Sequence, residues 1–156
     1  LKEELQVLSL YVQIEQLRFR DEFGFIIKVD ESLNDEELIV PPLIVQPFLE
    51  NAIWHGLMQK QGEKKIELFV EDAGNKLKIV LRDNGIGRDE ASRNNVGKQK
   101  ENRSMAIDLT RQRIEMLEEK DKKGDKVTII DLYDDSRAPK GTEVRLLIPK
   151  IQKRVK

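Results

Sequence analysis

Along the first 19 residues, LKEELQVLSLYVQIEQLRF, apolar positions recur with a helical period: Leu5, Leu8, Val12 and Phe19 form one stripe, and Val7, Leu10, Ile14 and Leu17 form a second beside it. Two apolar flanks are compatible with an ordinary packing helix or with one strand of a dimeric helical bundle. From Phe23 the period changes to two. In EFGFIIKVDE, Phe23, Phe25, Ile27 and Val29 share a face, which predicts a strand. A polar connection, SLNDEE, leads to a Pro-Pro pair, and Pro42 suits the first turn of a helix running to about Met58. QKQGEK reads as a turn. KKIELFVED and KLKIVLRD both alternate and are joined by AGN, the pattern of a hairpin. Between Asp83 and Arg103 no period survives, and a loop of that length in a compact domain is usually functional or mobile. SMAIDLTRQRIEMLEEK returns to a helical period, with Met105, Leu109, Gln112 and Met116 on one flank and Ile107, Ile114 and Leu117 on another. KKGDK breaks it. KVTIIDLYDD and TEVRLLIP are the last two strands, separated by the turn SRAPKG.

The order is therefore helix, strand, helix, strand, strand, long loop, helix, strand, strand. Strands adjacent in sequence favour antiparallel pairing with the helices on one face, an α+β two-layer sandwich. The 156 residues suffice for a domain with one sizeable core. Composition removes several chemistries. There is no cysteine, which excludes disulfides, zinc-thiolate sites and thiol nucleophiles, and a single histidine excludes a multi-histidine metal site within the chain. The 28 basic residues nearly cancel the 29 acidic ones, so no net field argues for nucleic acid or membrane. No apolar run approaches the roughly 20 residues that span a bilayer. A cytoplasmic domain is the default expectation, and the start inside a helical pattern points to a piece of a longer protein.

Four short stretches carry candidate chemistry. In PFLENAIWHG, Asn51 and His55 lie one helical turn apart and share a face, in an apolar setting that includes Ile44 and Phe48. A buried amide needs a polar partner, and an asparagine oxygen is a fitting magnesium ligand beside phosphates. In KLKIVLRDNGIG, Leu77, Ile79, Leu81 and Asp83 share one face, so Asp83 follows the leucines toward the core at the strand's tip. Such a carboxylate is paired or greets a ligand donor; the plainer alternative is a strand ending in an Asx-type turn. Gly85 and Gly87 follow and permit close backbone approach. The loop's exit into a helix near Ser104 offers free N–H groups to an anion, with Lys98, Lys100 and Arg103 nearby. Finally, Gly141 and Thr142 open the last strand.

Read in order, these stretches resemble the GHKL ATP-binding superfamily of gyrases, heat-shock chaperones, histidine kinases and mismatch-repair ATPases. Within it, YVQIEQLRF followed by a strand and then PPLIVQPFLENAIWHG is similar to the LytS-type sensor histidine kinases. The resemblance covers essentially the whole chain and rests most on the asparagine box. It implies a Bergerat-type α/β sandwich over residues 21–156, with residues 1–20 as the second helix of a dimerisation hairpin. It also implies a site for ATP and Mg. Asn51 would hold the metal; Asp83 would accept a hydrogen bond from the adenine amino group; Gly85 and Gly87 would lie against the base; Thr142 would support the adenine side; His55 would contact a phosphate. Residues 88–103 would be the lid, with Ser104, Met105 and Ala106 at the phosphate end. The implied partners are a second copy of the chain and a response regulator receiver domain, with membrane attachment only through regions outside this stretch.

The sequence departs from the family pattern in three places. The second glycine box reads Ser104-Met105-Ala106; the position three after Asn51, often lysine, is Trp54; and the phosphoacceptor histidine of the upstream helix is not within these residues. In ATP-hydrolysing relatives a general-base glutamate stands four residues before the asparagine, where this chain has Pro47. Glu50, adjacent to Asn51, diverges from it by about 100° on a helix and is the remaining candidate to shape the site or assist metal hydration. The leading expectation is a catalytic domain that presents Mg-ATP to a histidine elsewhere. The alternative is a pseudokinase or dimerisation module.

Overall fold

The computed structural model describes residues 1–19, 23–88, 99–117 and 125–152, with the side chains of 19 and 99–104 left out of the description. The first helix, α1 (Lys2–Phe19), separates its two apolar stripes. Leu5, Leu8 and Val12 are buried in the core, whereas Val7, Leu10, Ile14 and Leu17 remain exposed, Leu17 to 81%. Strand β1 (Gly24–Val29) follows, then a two-residue strand β2 (Leu38–Ile39) that pairs with β7 (Ile151–Gln152). Two-residue segments carry no readable period, and neither was anticipated.

The next helix starts four residues later than Pro42 predicts. Leu43 sits at φ 57, a left-handed conformation that no right-handed helix accommodates, so α2 spans Gln46–Asn51, with Pro47 in its first turn where an amide proton is not needed. It continues as a π-helical segment, Ala52–Leu57, closed by a Met58 N–H to Ile53 oxygen bond of 3.0 Å. The hairpin forms as read: β3 (Lys65–Ala73) turns at Gly74-Asn75 into β4 (Lys76–Asp83). Helix α3 (Gln99–Glu115) begins five residues before Ser104, which places Ser104, Met105 and Ala106 in its second turn. Amide protons there are past the first four that a helix leaves unpaired, so these three residues are not the N-terminal anion cradle that the sequence suggests. Strands β5 (Val127–Tyr133) and β6 (Pro139–Pro149) end the fold, β6 beginning three residues before Thr142. The turn between them tightens around Asp134, whose Oδ1 accepts from the N–H groups of Ser136 and Ala138.

The main sheet runs β1-β3-β4-β6-β5, parallel between β1 and β3 and antiparallel elsewhere. Its inner face, with Ile66, Leu68, Leu77, Ile79, Leu146 and Ile148 nearly sealed, packs on Leu49, Ile53, Leu57, Leu8 and Ile114 from the helices. Each such side chain contributes about 1.5–3 kcal/mol on burial. The helices lie on one face, so this is the two-layer α+β sandwich. Among the described residues no helix is long and apolar enough to cross a membrane.

Candidate functional site

Strand β4 carries the alternation that buries Leu77, Ile79 and Leu81, and it delivers Asp83 to the same side at the sheet's edge of the helix layer. Asp83 is only 6% exposed, flanked in register by Ile66 on β3 and Thr142 on β6. Its Oδ1 accepts the Gly85 N–H at 2.8 Å. Burial pushes the carboxyl up to about 6, against the pull of the Gly85 and Thr142 N–H groups and of Lys60, which all favour the charged form. Desolvation outweighs them because the carboxylate is almost wholly withdrawn from water. The result is a buried carboxyl with a raised pKa at the tip of a strand, the setting of a group that can meet a donor from a ligand.

Three glycines make room for it. A Cβ on Gly56 would stand 3.0 Å from Asp83 Oδ1, and one on Gly85 would stand 2.5 Å from the Gly56 backbone. One on Gly141, which has φ +129, would fall 2.0 Å from the Asp83 carbonyl oxygen. Gly85 therefore serves a backbone-to-backbone contact with the helix, sealed by the Ile86 N–H donating to the Gly56 oxygen at 3.2 Å. Gly87, at φ +77, turns the chain outward beside Pro139. Gly141 belongs to the Gly-Thr stretch that the sequence marks, whereas Gly56 is marked by nothing in the sequence. The role of Gly56 follows from neither period nor motif spacing but from which backbones cross.

The π segment is what relates the two halves of the site. With bonds spanning five residues instead of four, positions five apart fall near one face, so Gly56 lies close to the side of the helix that bears Asn51. Asp83 touches that helix at Gly56, and Asn51 stands one turn back along it, half-buried, with His55 half-buried between. Glu50 points elsewhere: its Oε1 accepts from Gln46 Nε2 at 2.9 Å, and its charge is felt by the Tyr11 hydroxyl of α1, which burial pushes up to about 12. Trp54 is occupied on the α1 side as well, with the Arg18 guanidinium 5.1 Å from its ring centre.

Asn84 is a further residue that the sequence did not mark. Its N–H donates to the Lys65 oxygen (3.1 Å), its carbonyl accepts from Lys60 Nζ (2.6 Å), its Oδ1 accepts from the Lys65 N–H (2.8 Å), and its Nδ2 donates to the Glu63 oxygen (3.1 Å). All four polar groups tie the turn after Asp83 to the segment that leaves the helix. Beyond Gly87, Arg88 makes a bidentate pair with Asp131 on β5, both contacts 2.6 Å, and holds that carboxyl below the usual range. Residues 89–98 of the expected lid lie outside the described residues. Among the described residues no cluster of three histidine or acidic side chains is placed to hold a metal ion. A cation here would draw on the Asn51 amide oxygen, phosphate oxygens and water, a donor set that suits magnesium.

No family model matches the chain. Over 89 residues it is 38% identical to the sensor histidine kinase YpdA of Escherichia coli, a stretch covering 57% of this chain and 15% of that protein. Over 113 residues it is 37% identical to the sensor protein LytS of Oceanobacillus iheyensis, covering 70% of this chain and 19% of the relative. The chain thus spans less than a third of the length of the curated relatives it matches here, 15% and 19% of these two. The histidine kinase domain of the Erythrobacter litoralis blue-light activated histidine kinase shares the fold, with a TM-score of 0.57 at 19% identity, over 92% of this chain and 58% of that one.

Proposed function

Because this chain belongs with the LytS-type sensor histidine kinases of the GHKL superfamily, we propose that it is the part that binds Mg-ATP and presents the γ-phosphate to a histidine on another segment. The observation that carries this reading is the buried Asp83 carboxylate, oriented by the Gly85 N–H and wedged among Gly56, Gly85 and Gly141. A carboxylate held there accepts from the exocyclic amino group of adenine and repels the carbonyl oxygen that guanine carries at the same place. Thr142 supports Asp83 from the neighbouring strand, and Gly87, at positive φ, turns the chain away from the base. Asn51 presents its amide oxygen at the phosphate end of the helix, with His55 one turn on. Magnesium held through the Asn51 amide oxygen would supply charge neutralisation to the phosphates. Phosphoryl transfer depends chiefly on positioning and charge neutralisation, so no nucleophile is needed among these residues. Glu50, engaged by Gln46, shapes the helix rather than activating water.

The wider assignment rests on the same reading: a homodimer in which the exposed stripe of α1 meets its counterpart, phosphate passed to a response regulator receiver domain, and a cytoplasmic domain joined to a membrane-anchored receptor. Calorimetric titration with ATP, GTP and ATP without magnesium tests the core of it. The expected result is binding of ATP in preference to GTP, strengthened by magnesium. Equal affinity for ATP and GTP would overturn the role of Asp83. One observation favours the second reading, a dimerisation module with weak nucleotide binding: α3 starts at Gln99, so the free amides at its N-terminus do not belong to Ser104, Met105 and Ala106. No heat at millimolar ATP would favour that module.

A further inference from the structure

The segment before the Asn51 helix adopts a conformation that its own sequence does not favour. Pro47 belongs in a first turn, which fits the start of α2 at Gln46, but Leu43 is held at φ 57, a region a leucine rarely enters. The agent is Glu4 of α1, a carboxylate only 5% exposed. One of its oxygens accepts the Leu43 N–H at 2.7 Å and the other accepts the Val45 N–H at 3.2 Å. Both amides belong to a chain 39 and 41 residues away, so this is a tertiary clamp and not a local cap. On the other side of the same loop, Arg113 of α3 donates to the Pro42 oxygen at 2.5 Å. Farther along, α1 grips the helix again, where Arg18 stacks on Trp54 of the π segment. Asn51 lies between the two grips.

We infer that Glu4 is a positioning residue for Asn51: by fixing the Leu43 and Val45 amides it sets where the helix begins, and hence where the Asn51 amide oxygen is presented. The inference rests on the nucleotide reading above. Without the carboxylate, the Leu43 and Val45 amides lose their buried acceptor and nothing holds Leu43 left-handed, so the chain entering α2 shifts and carries with it the turn that ends in Asn51. The Asp83 end of the pocket has its own anchor in Asn84, whose side chain is tied to the Lys65 N–H and the Glu63 oxygen and not to the Asn51 helix. Loss of Glu4 therefore weakens the phosphate and metal end and spares the base end.

The test compares two probes on Glu4→Ala, Asn51→Ala and the double variant, with thermal melts confirming folding: Mg-ATP, which engages both ends, and adenosine, which engages only the Asp83 end. The expected result for Glu4→Ala is a loss of about tenfold in Mg-ATP affinity, equivalent to ~1.4 kcal/mol, with adenosine affinity unchanged. In the Asn51→Ala background, removing Glu4 should cost Mg-ATP nothing further, the non-additivity of two residues acting through one contact. Equal loss for both probes, no loss for either, or additive losses in the double variant would overturn the clamp. A wild-type chain that binds neither probe would instead overturn the nucleotide reading, and the clamp with it.

Discussion

Replacing Asp83 by asparagine separates what this residue costs the fold from what it gives the site. Its pKa rises from an ordinary 3.8 to about 6 because the charged form is desolvated. At 1.36 kcal/mol per unit, that is about 3 kcal/mol of stability forgone when the group is ionised. The native state holds the extra proton between about pH 4 and 6. The contribution is therefore fully present below pH 4 and is lost as pH rises through 6. Asparagine mimics the neutral carboxyl, and its oxygen keeps the Gly85 N–H bond, but its amide nitrogen faces the Thr142 N–H, a mismatch worth about 1 kcal/mol. The net expectation at pH 8 is an Asp83→Asn chain more stable by about 2 kcal/mol, a melting temperature higher by roughly 4–8 °C for a domain of this size. Urea unfolding at a series of pH values from 4 to 8 reads this directly. The stability difference between variant and wild type should be small or negative near pH 4 and grow through pH 6. A variant less stable than wild type at pH 8, or a difference that does not change with pH, would refute the argument that desolvation dominates at this carboxyl. The same variant should lose its preference for ATP over GTP, stability gained and function lost at one position.

Two other substitutions probe the support of the site. Asn84→Ala removes two side-chain hydrogen bonds to the Lys65 N–H and the Glu63 oxygen while leaving the backbone pair, and should destabilise by about 1–3 kcal/mol, read from the urea midpoint. Gly141→Ala places a Cβ 2.0 Å from the Asp83 carbonyl oxygen on a strand at φ +129, and should cost more than about 4 kcal/mol; a soluble variant with an unaltered melting temperature would show that β6 yields where β4 presses on it.

Much of the architecture is legible in the chain because period alone distinguishes its elements. The alternation in KKIELFVED and KLKIVLRD gives the hairpin β3–β4, and the helical stripe of Leu5, Leu8 and Val12 gives the buried face of α1. The same parity argument that buries Leu81 buries Asp83. Boundaries are less legible: α2 starts past Pro42, where Pro47 falls in the first turn and Leu43 is bound to the distant Glu4, and α3 starts at Gln99 in a stretch where Gly, Asn and charge conceal any period.

Sequence by itself determined which residues face inward, since side-chain direction is a local consequence of backbone period. It therefore supplied Asn51 on a helix and Asp83 on a strand tip. Tertiary structure alone decided how close those two elements come. The π turn at Ala52–Leu57, the bare backbones of Gly56, Gly85 and Gly141, and the fourfold bonding of Asn84 act between segments far apart in the chain. Contacts of that kind are selected by packing and by the need to satisfy buried polar groups, and no run of neighbouring residues encodes them.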